Sequence, residues 1–496
     1  MILSELLNSI SYNNINHETL PAVEIQDITY DSRKSKAGSI FVAIKGETID
    51  GHKFAPKAYE NGCRIFIVSE NVSLPSDAII IEVENSRIAL SQASNAFFGK
   101  PSQQLTVIGV TGTKGKTTTT NFIKQTLESS GIKTGVIGTN GAFYCDIQEE
   151  TINTTPESYE LHRIFKNMLD HGVQCVCMEV SSGGLMMHRV NDIDFDIAVF
   201  TNISPDHIGP KEHKSFQDYL SCKAQLFSMA KISIINADDA HAEDIISVAN
   251  KAKSKVLTFG LAEDFDYSAS DISYSNAISS LETDFLCKEK STNLSIPYSI
   301  TSPGIFSIYN ALTVIATCRA LNLSHETIKK ALKTAQVSGR VEVINILPAS
   351  PIVLDYAHNK VSLTNLLETL QLYKPKRLLC LFGSIGGRAT MRRKELGDVA
   401  AKYADIAIVT SDNPDFEDPE QIIDDIMPSF ENSSCISYRK ADRKEAINLA
   451  INLIQPGDLL VVAGKGHETY QLIEGKHVPF NEKEEIIIAA KRKMNE

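Results

Sequence analysis

The chain has 496 residues, with 49 lysines and arginines against 61 aspartates and glutamates and a formal net charge of −12. At about 100–200 residues per domain this length gives three domains, and 43% hydrophobic residues supply apolar material for several cores. The acidic balance argues against a general nucleic-acid or anionic-membrane binder, and no apolar run reaches the roughly 18 residues of a membrane span. The nine cysteines include no CxxC pair, so neither a zinc knuckle nor a disulfide framework is expected. The first residues lack a basic n-region and a small-residue cleavage site, and a soluble cytoplasmic protein is expected.

In chain order, residues 1–100 read as short strands with turns, among them IFVAIKG at 40–46 and the apolar run Ala78–Val83. Pro101-Ser102 punctuates the chain and opens a second domain, 101–336. There the apolar runs at 105–110, 133–138, 173–180 and 194–200 alternate with helical patterns, which predicts a parallel sheet with helices on both faces. Residues 260–300 are hydrophilic and strand-like, a peripheral elaboration of that domain. A third series fills 337–496: VEVINI, PIVLDYA, RLLCLFG, DIAIVTSD and DLLVVAGKG. Its runs tend to end in Gly, Asp or Ser clusters, where open α/β sheets bind ligands. The fold class predicted is α/β in three domains: a small N-terminal α/β domain, a central parallel-sheet domain with a phosphate loop, and a Rossmann-like C-terminal domain.

The sharpest local signal is Val110-Thr-Gly-Thr-Lys-Gly-Lys-Thr-Thr-Thr-Thr120, after an apolar strand and before a helix. Gly112 and Gly115 let backbone amides close on phosphate oxygens, with Thr113, Lys114 and Thr118 completing the cradle. Lys116 can reach β- and γ-phosphates, and the Thr117 hydroxyl can hold Mg²⁺. Val110 stands where the strict G-x-x-x-x-G-K-[ST] pattern has glycine, so the loop is a variant. The nearest match to a guanine-reading Asn-Lys-x-Asp segment, Asn359-Lys-Val-Ser362, lacks the carboxylate.

TGTKGKTT (111–118), MEVSS (178–182), TNISPDH (201–207), LDYAH (354–358) and DNP (412–414) occur in the order seen in the Mur ligases. With Asp31-Ser-Arg33, GSIFVAIKGETIDGHKFAPKA (38–58) and Gly464-Lys-Gly-His-Glu468, the chain resembles that family, in the branch that makes the UDP-N-acetylmuramoyl tripeptide. The resemblance implies an ATP- and Mg²⁺-dependent amide ligase of peptidoglycan precursor synthesis. A carboxylate of UDP-N-acetylmuramoyl-L-alanyl-D-glutamate is activated as an acyl phosphate, and an amino acid's amine displaces the phosphate. It also implies domain closure and small-molecule partners. A monomer without nucleic-acid or membrane partners is expected.

The resemblance assigns roles residue by residue. Lys116, Glu179, His207, Lys223 and Arg340 would carry the chemistry, with Thr117, Glu179, His207 and Lys223 at the metals and Lys223 carried as a carbamate. Asn310, Arg340, Asp355 and His358 would hold the nucleotide. Ser32, Glu47, Thr48, Ile49, Asn153, Thr154, Thr155, Ser181 and Arg189 would bind the UDP substrate. Gly183 and Met187 depart from the family's histidine and glutamine. The incoming amino acid would meet Arg388, Asp412, Asn413, Asp415, Gly464 and Glu468.

Diaminopimelate-adding members read Asp-Asn-Pro-Arg, whereas this chain reads Asp412-Asn413-Pro414-Asp415. An acid at 415 repels a carboxylate and attracts an ammonium, so L-lysine is the expected acceptor, with ornithine or meso-diaminopimelate as alternatives. Arg392 or Arg393 could still supply a specificity arginine. The rival readings are a folylpolyglutamate synthetase, which should lack the Asp-Ser-Arg domain, and a P-loop switch that forms no amide.

Overall fold

The structure is a computed structural model describing residues 1–17, 22–46, 49–206, 208–209, 212–274, 281–387 and 390–495. It divides into two compact units, one of residues 1–260 with 313–323 and the other of residues 261–312 with 324–496. Residues 261–300 fall within the second of these units.

The first unit holds two sheets. In the N-terminal one, Asp27–Thr29, Ser39–Val42, Ile65–Val68 and Ile79–Glu82 run parallel, and Asn14–Ile15 closes the edge antiparallel. Every residue of Ser39–Val42 and Ile65–Val68 is buried, as strands covered on both faces require. Helix Ser86–Phe97 packs on this sheet, started by Asn85, whose carboxamide oxygen accepts from the Arg87 and Ile88 amides.

The second sheet of this unit runs, strand by strand, Lys255–Gly260, Ala230–Asn236, Phe195–Phe200, Thr106–Thr111, Cys175–Glu179, Thr134–Gly138, Gly141–Tyr144 and Ile147–Glu149. The first six are parallel and the last two turn back antiparallel. Each of the four apolar runs read from the sequence is one of its strands. Thr106–Thr111 sits between Phe195–Phe200 and Cys175–Glu179, with Glu179 in register with Val110. That register brings the end of the MEVSS strand beside the phosphate loop.

In the second unit, Tyr267–Tyr274, Thr283–Glu289 and Leu294–Ile300 form an antiparallel meander. The C-terminal sheet has the order Glu342–Ile344, Ile352–Asp355, Leu459–Ala463, Leu378–Ser384, Ile406–Ser411 and Ile436–Lys440, parallel except at its first strand. Two apolar layers cover it, one built on Leu363, Leu367 and Ile423, the other on Ile447, Ile451 and Ile486. A hairpin, Tyr470–Ile473 with Lys476–Pro479, follows the last strand of the sheet. Among the described residues, no helix is long and apolar enough to cross a membrane.

Candidate active site

The phosphate loop is braced from the next strand. The Thr113 amide donates to the Asn202 carbonyl at 2.9 Å, the Lys114 amide to Asn202 Oδ1 at 3.0 Å, and the Thr201 hydroxyl to the Lys114 carbonyl at 2.7 Å. Gly112, at φ 150°, lies so close to this segment that a Cβ would stand 2.0 Å from Thr201 Oγ1. Gly115 enters helix Lys116–Ser129 in the left-handed region, φ 86°, and Thr117 and Thr118 fall in its first turn. Lys116 Nζ folds back onto the carbonyls of Gly112 and Thr113, at 2.8 and 3.2 Å.

Glu179 ends its strand with a side chain only 1% exposed. Its carboxylate accepts from the Thr117 hydroxyl at 2.9 Å, the Thr139 amide at 3.1 Å and the Thr139 hydroxyl at 3.2 Å. Gly138 makes room for it, since a Cβ there would lie 2.2 Å from Oε1. These three donors are neutral, and a buried carboxylate so held is suited to a cation. With the Thr117 hydroxyl it offers the hard oxygens that Mg²⁺ takes, so the residues fit that ion.

Lys223, 1% exposed on helix Phe216–Ala224, donates to the Gly112 carbonyl at 3.1 Å. Burial first, and then the Lys116 charge, lower its pKa to about 7. His207 lies outside the described residues.

Of the residues expected to bind the UDP substrate, Thr154, Thr155, Ser181 and Arg189 are joined by hydrogen bonds around the end of the Glu179 strand. The buried Thr155 hydroxyl donates to the Glu179 carbonyl at 3.0 Å and accepts from the Ser181 amide at 2.9 Å. Thr154 Oγ1 lies 3.1 Å from Thr139 Oγ1, and Asn153 beside it is half-buried. Arg189 Nη1 donates to the Thr155 carbonyl at 3.2 Å. In the N-terminal domain Ser32 is buried and opens a short turn capped by Asp31, and the carbonyl of exposed Ile49 accepts from the Gly46 amide at 2.8 Å. Glu47 and Thr48 lie outside the described residues.

In the second unit, Gly339 and Gly466 approach so closely that a Cβ on Gly339 would stand 2.1 Å from the His467 amide nitrogen. Two residues on from Gly339, Val341 is held at φ 47°, unusual for a β-branched side chain, with its amide on Asp355 Oδ2 at 2.8 Å. Arg340 consequently lies over the Tyr356 ring, guanidinium carbon 4.7 Å from the centroid. Burial raises the pKa of Asp355, which also accepts from the Ala357 amide at 2.7 Å. His358 Nδ1 is 2.8 Å from the Tyr356 carbonyl, and Asn310 is half-buried on helix Ile305–Ala320.

Beyond Tyr356 opens a cavity of about 790 Å³ whose walls include His358, Arg392, Asp412, Asn413, Asp415, Gly464 and Glu468. The sequence assigns five of those seven to the incoming amino acid, Arg392 as an alternative and His358 to the nucleotide; Arg388 lies outside the described residues. Arg393 does not reach the cavity: it is 1% exposed and clamped by Glu417, at 2.6 Å from each carboxylate oxygen, and by Asp425 at 2.8 Å. Asp415 sits at φ 54°, with Oδ1 accepting from the Gly475 amide of the hairpin turn at 2.8 Å.

The sequence reading passed over Lys465. Fully buried, it donates to Asn413 Oδ1 at 3.0 Å and Glu468 Oε2 at 2.8 Å. The Lys465 hydrogen bond and charge hold Glu468 ionised, outweighing the burial that would raise its pKa. Thr139 was also missed, because nothing local marks it; it becomes visible only through its two bonds to Glu179.

Three family models match the chain: "Mur ligase family, catalytic domain" over residues 24–98, "Mur ligase middle domain" over 110–318 and "Mur ligase, glutamate ligase domain" over 339–466. A UDP-N-acetylmuramoyl-L-alanyl-D-glutamate–2,6-diaminopimelate ligase of Clostridium perfringens is 39% identical over 494 residues, 98% of each chain. An enzyme of the same name from Listeria monocytogenes is 36% identical over 509 residues, 100% of this chain and 99% of its own. A solved structure of a ligase of that name superposes with TM-score 0.75 at 28% identity, covering 97% of this chain and 98% of that one. Folylpolyglutamate synthase from Thermotoga maritima shares the fold at TM-score 0.59 and 18% identity but covers only 76% of this chain.

Proposed function

The chain belongs to the Mur ligase family, and from that premise we propose that it joins 2,6-diaminopimelate to UDP-N-acetylmuramoyl-L-alanyl-D-glutamate at the expense of ATP. The observation that carries the acceptor is Arg392, a cation on the wall of a cavity that also holds Asp412, Asp415 and Glu468. Diaminopimelate bears an ammonium and a carboxylate at each end, so it needs such a mixed set; the names of the relatives support the same acceptor. The lysine expected from Asp415 alone is demoted. One of that carboxylate's oxygens is engaged by the Gly475 amide, and Arg392 offsets its charge on the same wall.

Lysine remains a second reading, favoured by Asp415 standing where diaminopimelate-adding members carry arginine. Phosphate release with Mg²⁺, ATP and the UDP-muramoyl dipeptide, offering each diamino acid in turn, separates the two. Turnover with diaminopimelate supports the first reading, and turnover with lysine alone overturns it.

In this reading Lys116 and the loop amides bind the transferring phosphate and orient it toward the substrate carboxylate. Mg²⁺, when bound, supplies charge neutralisation for crowded oxyanions, and Glu179 with Thr117 would hold it. Arg340 offers a bidentate fork to phosphate oxygens, and Asp355 suits ribose hydroxyls. Thr154, Thr155 and Arg189 orient the UDP substrate. Glu468, kept anionic by Lys465, holds an ammonium of the incoming amino acid.

A further inference from the structure

Glu157 occupies the N-cap of helix Ser158–Asp170, yet its side chain caps nothing. At that position an acid ordinarily turns onto the first helical amides. Here the carboxylate is held by two arginines from opposite directions. Arg87 Nη1, from the N-terminal domain, donates to Oε2 at 3.0 Å, and Arg189 Nε, from the central domain, donates to Oε1 at 2.9 Å. All three side chains are nearly buried, at 12%, 12% and 15% exposure for Arg87, Glu157 and Arg189.

Each arginine also grips a backbone carbonyl. Arg87 Nε donates to Lys45 at 3.1 Å, next to Gly46, whose amide donates to the Ile49 carbonyl. Arg189 Nη1 donates to Thr155, whose hydroxyl in turn donates to the carbonyl of Glu179. A continuous line of polar contacts thus runs from Lys45 to the end of the Glu179 strand.

We propose that Glu157 is a positioning residue: through Arg87 it locks Arg189 to the N-terminal domain at Lys45, so that the two ends of the UDP-substrate site form one cradle for an anionic nucleotide-sugar. The inference rests on the reading that Arg189 and Ile49, near Lys45 in the chain, touch the UDP substrate. Two guanidiniums around one carboxylate leave a surplus positive charge, the right sign for a ligand carrying a diphosphate and carboxylates. Without the carboxylate the two cations repel each other at short range in a poorly solvated place, and both ends of the cradle loosen. The helix itself stays tied to the N-terminal domain by bonds that do not involve Glu157, from Tyr30 to Glu160 and from Tyr159 to Asp27, each 2.8 Å.

The test is a double-mutant cycle with Glu157→Gln, Arg189→Ala and the pair. It is read by titration calorimetry of the UDP-muramoyl dipeptide and by steady-state kinetics. Glu157→Gln is expected to weaken the dipeptide about tenfold in Kd and KM, leaving KM for ATP and kcat near wild type, while the melting temperature falls because two nearly buried guanidiniums lose their shared carboxylate. The double variant is expected to bind more tightly than the two single effects multiplied together, because Glu157 acts in part through Arg189. If Arg189→Ala weakens binding while Glu157→Gln does not, or if the two effects add in full, the positioning role is overturned. If Arg189→Ala has no effect, the assignment of Arg189 to the substrate fails and takes this inference with it.

Discussion

Lys116 and Lys223 donate to the same acceptor, the Gly112 carbonyl, at 2.8 and 3.1 Å. Burial of Lys223 first, and then the Lys116 charge beside it, lower the Lys223 pKa to about 7. Its amine is therefore largely neutral in mildly alkaline solution. That is the form able to add CO₂ and become a carbamate, the state the family resemblance requires of this position.

That shift makes stability depend on pH. Unfolded, Lys223 keeps its proton to its ordinary value of 10.5, whereas folded it gives the proton up near 7. Between those values the unfolded chain binds more protons, so the free energy of unfolding rises with pH. In bicarbonate-free buffer, Lys223→Met should be the more stable protein at pH 6.5. Its advantage should shrink above pH 7 by at most about 1.4 kcal/mol per pH unit. Urea midpoints at several pH values check this; an advantage independent of pH would contradict it.

Glu179→Gln keeps the hydrogen-bonding shape around Thr117 and Thr139 but removes the charge a divalent cation needs. Turnover is expected to fall by about 100-fold or more, with the melting temperature held within a few degrees. Gly138→Ala tests the same carboxylate from the other side. Its Cβ would collide with Oε1, so activity should fall with a loss of about 1–3 kcal/mol in stability.

Arg392 and Arg393 are adjacent in sequence and opposite in role. Arg392→Met should raise KM for the diamino acid about tenfold or more without changing stability. Arg393→Met strands the carboxylates of Glu417 and Asp425 and should lower stability by about 3 kcal/mol. Calorimetric melting and acceptor titrations on the two variants separate these outcomes.

These neighbours also mark what the sequence could and could not convey. Apolar runs such as LTVIGV and VQCVCMEV announced their strands, because a doubly covered parallel strand is apolar throughout, and the phosphate loop announced itself by motif and context. Which of two consecutive arginines faces the cavity depends on the phase of helix Met391–Tyr403 against Glu417 and Asp425, contacts supplied by distant segments. Thr139 and Glu157 escaped notice for the same reason: the partners that mark them, Glu179 and Arg189, lie 40 and 32 residues away. Within the second unit, the Thr283 and Tyr373 hydroxyls, 2.5 Å apart, are another such long-range contact.

The account turns on a carboxylate being activated as an acyl phosphate before the amine arrives, and one isotope measurement addresses that step. The UDP-muramoyl dipeptide would carry ¹⁸O in its glutamate carboxylates and be turned over with ATP, Mg²⁺ and diaminopimelate. The released phosphate would then be examined by ³¹P NMR and mass spectrometry. The account predicts one ¹⁸O atom in each phosphate, because the carboxylate oxygen that attacks phosphorus leaves with it when the amide forms. Unlabelled phosphate alongside a newly formed amide would contradict it.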